Sequence, residues 1–270
     1  MSRLPRAVVL VLFAVVIAVP LSLVLFTSLK TSAQYFQSPF TPPADPEFEN
    51  YTRIFTRESI LRAFLNSALV TASTVLLVLL LGSMAAYGIA RMRGWRSGGL
   101  FAFFVAGLMV APQVYMMPVF VIVSQLQLVN TLRAVVLVSV AVQLPIAVLV
   151  LTGFIRGLPR ELLDAAFVDG GSEWAVYRRI VLPLTRPALA TVAIFSLVIT
   201  WNDLVWPLLF LRREALRTLP LALLQFRGEY LTNYPVLFAG ATLATIPMVA
   251  AYLSLQRWFV EGLTAGSLKG

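Results

Sequence analysis

Six long apolar stretches, separated by runs of charged and turn-forming residues, set the pattern of this chain. They cover about residues 7–29, 65–90, 100–124, 134–155, 187–211 and 233–256. At the 1.5 Å rise of a helix, each is about long enough to cross the roughly 30 Å hydrocarbon core of a bilayer. The pattern predicts an all-α polytopic membrane protein, a single membrane domain over residues 1–270 with six transmembrane helices. The first stretch competes with a cleaved signal peptide, since Thr31-Ser32-Ala33 is a passable small-residue site. Signal h-regions run only about 7–15 residues, so its length favours an uncleaved helix.

The intervening runs carry their own signals. Lys30 to Arg62 holds Pro39, Pro42, Pro43 and Pro46, and proline at that density predicts an extramembrane loop with one short helix near Tyr51–Phe55. Arg91, Arg93 and Arg96 form a short basic turn after the second stretch. Residues 156–186 make the longest charged segment before Pro187 opens the fifth stretch. With the N-terminus inside, the cytoplasmic pieces hold Arg3, Arg6, Arg91, Arg93, Arg96, Arg156, Arg160, Arg178, Arg179, Arg186, Arg257 and Lys269, twelve of the 21 Lys and Arg. That bias predicts a multi-pass inner-membrane protein with both termini cytoplasmic.

Composition narrows the function. Only 12% of the residues are charged and 59% are hydrophobic, far from an ordinary soluble domain. The net charge of +9 follows from topology and calls for a lipid bilayer as partner, not nucleic acid. Cysteine and histidine are both absent, which removes thiolate nucleophiles, imidazole chemistry and Cys or His metal sites. No phosphate-binding G-x-x-x-x-G-K-[ST] loop occurs, so the chain is not expected to be an enzyme and carries no cofactor of its own.

Polar residues inside apolar stretches are the candidate pathway residues. Asn66 sits near the start of the second stretch, and Gln113 beside Pro112 suits either a cavity lining or a helix–helix hydrogen bond. In the fifth, Asp203 falls roughly halfway to two-thirds along, and an ionisable group at depth marks either a pathway or a paired structural site. Trp201, Asn202 and Trp206 beside it offer stacking faces and hydrogen-bonding groups suited to sugars.

The charged segment 156–186 carries a spaced pattern: Asp164-Ala165-Ala166, three residues, Gly170, nine residues, then Ile180-Val181-Leu182-Pro183. Pro159 suits a helix start, Gly170-Gly171 a left-handed stop, and Ser172 the cap of a second helix. The pattern resembles the "EAA" loop of bacterial ATP-binding-cassette importer permeases, with Asp164 where that family usually has Glu. Asn66-Ser67, Ala85-Ala86-Tyr87, the run from Ala188 to Asp203, and Gly262 to Gly270 extend the resemblance to sugar-importer permeases of the maltose-transporter type.

The resemblance implies a type I importer permease bundle whose cytoplasmic coupling helix docks in a cleft of an ATPase. Glu161, Asp164, Ala165, Ala166, Asp169, Gly170, Ile180, Leu182 and Pro183 are then the coupling residues. It also implies the partners: a second permease in a heterodimer, two ATP-binding subunits that hold ATP and Mg, and an extracytoplasmic solute-binding protein delivering a di- or oligosaccharide or related solute. Arg212, Arg213, Arg217 and Arg227, in the external loop after the fifth stretch, become candidate contacts to the binding protein. A stand-alone secondary transporter or channel is the competing reading; such carriers usually have more intramembrane ionisable groups and repeated halves.

Overall fold

The computed structural model describes residues 3–55, 58–224 and 233–267. Its helices are α1 (Arg3–Ser28), α2 (Ser32–Gln37), α3 (Glu49–Phe55), α4 (Glu58–Arg91), α5 (Trp95–Gly107), α6 (Pro112–Gln125) and α7 (Leu132–Arg156). Then follow α8 (Arg160–Val168), α9 (Glu173–Val176), a π-helical turn (Tyr177–Val181), α10 (Leu182–Leu184), α11 (Arg186–Trp201) and α12 (Val205–Phe210). A 3₁₀ turn (Glu214–Leu216), α13 (Leu219–Leu223) and α14 (Tyr234–Ser267) complete the chain, and the described residues include no strand.

Among the described residues, four helical stretches are long and apolar enough to cross a membrane unbroken: Ala7–Ser28, Ile60–Arg91, Leu132–Arg156 and Tyr234–Ser254. Two bent pairs bring the number to as many as six. One is α5 with α6, bent by 96°, where the sequence predicts a single third span bent at Pro112 or Pro118. The proline responsible is Pro112. It stands at the first position of α6 behind an extended Ala111, the conformation that proline imposes on its predecessor, so the chain restarts a helix there. Pro145 lies inside α7 without ending it.

The other bent pair, Glu173–Leu184 with α11, turns by 75°. Pro183 has no N–H to give the preceding turn, and the π-helical turn Tyr177–Val181 lies just before it. The Thr185 hydroxyl donates to the Val181 carbonyl at 2.8 Å across the bend. The predicted fifth span, 187–211, also ends early: α11 stops at Trp201 and α12 begins at Val205.

The chain divides into two compact units. The first comprises residues 1–64 and 218–247. There α1 exposes every described side chain from Ala7 to Leu21, as expected of a helix whose surroundings are lipid or another protein. Beyond α1 the chain is fastened by a buried cluster. Lys30, only 1% exposed, donates to the carbonyls of Ser38 at 2.6 Å and Pro39 at 3.3 Å. The Asn50 amide donates to the carbonyls of Ser28 (3.0 Å) and Lys30 (2.8 Å). Burial lowers the Lys30 pKa from its ordinary value. The short helix α2, unforeseen in the proline-dense loop, starts with a capping box between Thr31 and Gln34.

The second unit comprises residues 65–217 and 248–270. Its core joins α4 (Val78, Ala86, Tyr87), α7 (Val140, Ala147, Leu151, Ile155), the segment after α7 (Leu163, Val176, Tyr177, Val181) and α11 (Ala188, Val192). The α4–α7 contact is close at Gly82, where a Cβ would meet the Ala147 Cβ at 3.0 Å. This core carries the segment 157–185 at one end of α7.

Candidate functional site

Helix α8 ends in a backbone motif that its glycines make possible. Gly170 adopts φ +79°, Gly171 N–H bonds the Ala166 carbonyl at 2.9 Å, and Gly170 N–H bonds that of Phe167 at 3.0 Å. This pair of bonds is a Schellman stop. A Cβ on Gly171 would lie 2.6 Å from the Ala166 oxygen, so both glycines are required. The Ser172 hydroxyl then accepts from Ala175 N–H at 3.3 Å and opens α9.

The motif residues divide into two groups. Glu161, Asp164, Ala165 and Asp169 are exposed on α8 together with Leu162, and Gly170 is exposed in the turn. Leu163 is buried, and Ala166, Phe167, Ile180 and Leu182 pack against the core. Pro183 is exposed at the bend. The exposed face is acidic with one small residue at its centre, which suits a basic, closely approaching protein surface. Ile180 and Leu182 hold the segment rather than present it. Leu162, the neighbour of buried Leu163, faces out.

A polar clamp ties this segment to the end of α4. Glu173 accepts hydrogen bonds from the Tyr87 hydroxyl and, at 3.0 Å, from the Arg91 guanidinium. The Arg91 guanidinium also lies 4.6 Å from the centre of the Phe167 ring on α8. Ser83 and Tyr177 share a buried hydroxyl–hydroxyl bond of 2.8 Å, and the Tyr87 and Tyr177 rings are 5.4 Å apart. The Tyr87 hydrogen bond, helped by Arg91, holds the Glu173 carboxyl below its ordinary pKa against the opposing effect of burial. On the far side, Arg156 at the end of α7 donates to Ser97 at 2.9 Å and stands 5.0 Å from the centre of the Phe101 ring. The sequence pattern singled out none of Arg91, Glu173 or Arg156 as a site residue. The signal was the basic turn after the second span facing an acid at the first turn of α9.

The candidate pathway residues take unexpected positions. Asp203 lies in the break between α11 and α12, not within a continuous helix, and its Oδ1 accepts from the N–H groups of Val205 (2.9 Å) and Trp206 (3.4 Å). A carboxylate capping two free backbone donors needs no partner helix. The Asn202 amide donates to the Val198 carbonyl at 2.8 Å and is exposed. Trp201 and Trp206 are buried, at 6% and 7% exposure, and the Trp206 ring stacks with those of Tyr115 (6.3 Å) and Phe210 (5.8 Å), so neither indole offers an open face. Because Tyr115 follows Pro112 by less than one turn, this stack brings the two helix breaks together. Gln113 is exposed beside them.

Asn66 does something the sequence did not suggest. Its amide donates to the carbonyls of Ala215 at 2.9 Å and Arg217 at 3.0 Å, pinning the external segment. Asn130, with φ +65°, accepts on its Oδ1 from the backbone N–H of Arg212 and of Arg213, each at 3.0 Å. Arg212 and Arg213 are exposed and Arg217 half-buried; Arg227 lies outside the described residues.

The comparisons with known proteins agree with this architecture. The family of binding-protein-dependent transport system inner membrane components matches residues 78–264. The melibiose/raffinose/stachyose import permease protein MelC of Bacillus subtilis is 34% identical over 267 residues, covering 97% of this chain and 96% of that protein. The arabinooligosaccharides transport system permease protein AraQ of Halalkalibacterium halodurans is 35% identical over 256 residues, covering 93% and 91%. Among solved structures, a chain of a bacterial ABC transporter involved in the import of the acidic polysaccharide alginate has the same fold, with a TM-score of 0.79, 21% identity and coverage of 96% and 99%. The chain therefore belongs to the family of binding-protein-dependent transport system inner membrane components.

Proposed function

We propose that this chain is a permease subunit of an ATP-driven, binding-protein-dependent importer whose cargo is an oligosaccharide or related carbohydrate. The observation that carries the reading is α8. It is a short helix, packed on the core through Leu163, that shows Glu161, Asp164, Ala165 and Asp169 to the outside. Such a helix can be pushed as a rigid lever by a partner, and its sequence pattern is that of the importer coupling loop. ATP and Mg belong to the partner ATPases in this reading, and a second permease completes the pathway. The named relatives that import melibiose, raffinose, stachyose or arabinooligosaccharides support the carbohydrate class.

The pathway is assigned to the paired helix breaks. Exposed Gln113 and Asn202 flank the Tyr115–Trp206 stack, where irregular backbone is tolerated if it lines a water-filled cavity. Arg212, Arg213 and Arg217 lie on the segment pinned by Asn66 and Asn130, the surface assigned to the binding protein, and Arg227 joins them by sequence alone. Both termini are assigned to the cytoplasm with α8.

The test is reconstitution with candidate partner subunits and a ligand-loaded binding protein in proteoliposomes. ATP-dependent uptake of labelled oligosaccharide is expected, and Asp164→Lys is expected to insert normally but abolish uptake. Uptake by the lone chain without ATPase, or wild-type uptake by the Asp164→Lys variant, overturns the coupling assignment.

A further inference from the structure

A pocket of about 250 Å³ opens between the end of α4, the end of α7 and α8. It is lined by Arg91, Arg93 and Arg156, by one acid, Asp164, and by the apolar Ala90, Met92, Ile155, Leu158 and Leu163. The coupling reading uses only Leu163 and Asp164 of this lining and none of its three arginines. Two of its arginines are the last residues of long apolar helices, α4 and α7, which fixes the depth of the pocket at the boundary between hydrocarbon and water. Met92 in this lining is exposed, and Trp95, three residues further along the chain and 83% exposed, supplies an interfacial anchor.

The arginines are prepared for an anion. Arg91 is oriented by Glu173 and the Phe167 ring, and its Nε is buried without a hydrogen-bond partner among the described residues. Arg156 is oriented by Ser97 and Phe101. Arg93 is exposed. Glu173 offsets the charge of Arg91, and Asp164 offsets one more, so the group keeps one net positive charge. A guanidinium recognises phosphate oxygens in a fork geometry, and one net charge matches one phosphodiester.

We infer that this pocket binds the phosphodiester headgroup of an anionic phospholipid, its acyl chains passing outward between Met92 and Trp95. The apolar half of the lining fits the glycerol backbone, and the basic half fits the phosphate. A headgroup there lies against Leu163 and Asp164, so a lipid links the membrane surface to the position of α8. Only the choice of leaflet rests on the cytoplasmic assignment made above.

Native mass spectrometry of the assembled importer, released from nanodiscs of mixed phosphatidylglycerol and phosphatidylcholine, tests the site without measuring transport. Retention of phosphatidylglycerol over phosphatidylcholine is expected. Arg93→Gln should weaken it about fivefold, and Arg93→Gln with Arg156→Gln about thirtyfold, from the usual contribution of a basic residue at an anionic surface. Arg156→Lys keeps the charge and should retain most of the binding, which separates loss of the site from loss of the Ser97 contact. A third arm adds millimolar inorganic phosphate to nanodiscs of phosphatidylcholine alone. If phosphate occupies the site as well as the lipid does, the site is for a soluble anion and the lipid assignment fails. Equal retention of the two lipids, or unchanged retention in the double variant, also overturns it. Loss of uptake with lipid retention intact would count against the importer reading and leave this site standing.

Discussion

The two ends of α7 are fastened by different chemistry. The helix has 25 residues, so its ends lie about 37 Å apart. At its C-terminal end the segment 157–185 is tied down by ionised and hydroxyl side chains: Glu173 with Tyr87 and Arg91, Tyr177 with Ser83. At its N-terminal end the segment 211–217 is held by two neutral amides, Asn66 and Asn130, acting on backbone groups alone. Backbone capture ignores the side chains of the captured loop, so that loop can change its arginines freely while keeping its path. A charged clamp is sensitive to substitution, salt and pH, and it can be loosened without unfolding anything. Backbone capture suits a surface that varies with its partner, and the charged clamp suits a part that moves.

Reversing the charges of the clamp tests its role most severely. Glu173→Lys sets a cation against Arg91, and uptake by the assembled transporter should fall roughly tenfold or more, the half-exposed setting limiting the electrostatic part to about 1–2 kcal/mol. The Arg91→Glu, Glu173→Lys double variant should recover part of it; no recovery would mean that the clamp does not position the segment. At the other end, Asn66→Ala removes two bonds of about 1 kcal/mol each. Amide hydrogen exchange at residues 213–217 should accelerate several-fold, while expression stays normal. An unchanged exchange rate there would show that the amide does not hold the loop.

Smaller changes sharpen the same contrast. Gly170→Ala forces a side chain into the left-handed region and should cost about 1 kcal/mol, read as a lower midpoint of thermal unfolding. Asp203→Asn keeps an acceptor for the cap of α12 and should shift stability by less than about 0.5 kcal/mol, whereas Asp203→Leu should cost about twice that. A large loss of uptake with Asp203→Asn at normal stability would restore to that carboxylate the role in the pathway that its capping geometry argues against.

Much of the cytoplasm-assigned end was legible before the structure, because its information is local. Pro159, Gly170-Gly171 and Ser172 each act on the backbone within a few residues, and the structure has a helix start, a Schellman stop and a cap at those places. The clamp was not legible, since Tyr87 and Glu173 lie 86 positions apart and only tertiary packing brings them together. Asp203 was misplaced for a different reason. An apolar run of 25 residues reads as one helix unless a break is signalled, and Asn202-Asp203 reads as polar residues in a span as readily as a helix stop and cap. Pro112 did announce its break, but whether a proline bends a helix or restarts one depends on its predecessor, here an extended Ala111. The capping box of α2, Thr31 with Gln34, was present in the sequence and overshadowed by the prolines that follow it.

The caged lysine of the first unit has a practical consequence. Lys30 and Lys269 are the only lysines in the chain. With its ammonium enclosed by the carbonyls of Ser38 and Pro39, Lys30 is shielded from amine-directed reagents for as long as residues 31–50 stay folded over it. Burial lowers its pKa only while it is enclosed; once uncovered it returns to an ordinary, accessible lysine that such reagents can modify. The rate of acylation at this one position is thus a native clock for the opening of the loop, available without introducing a label.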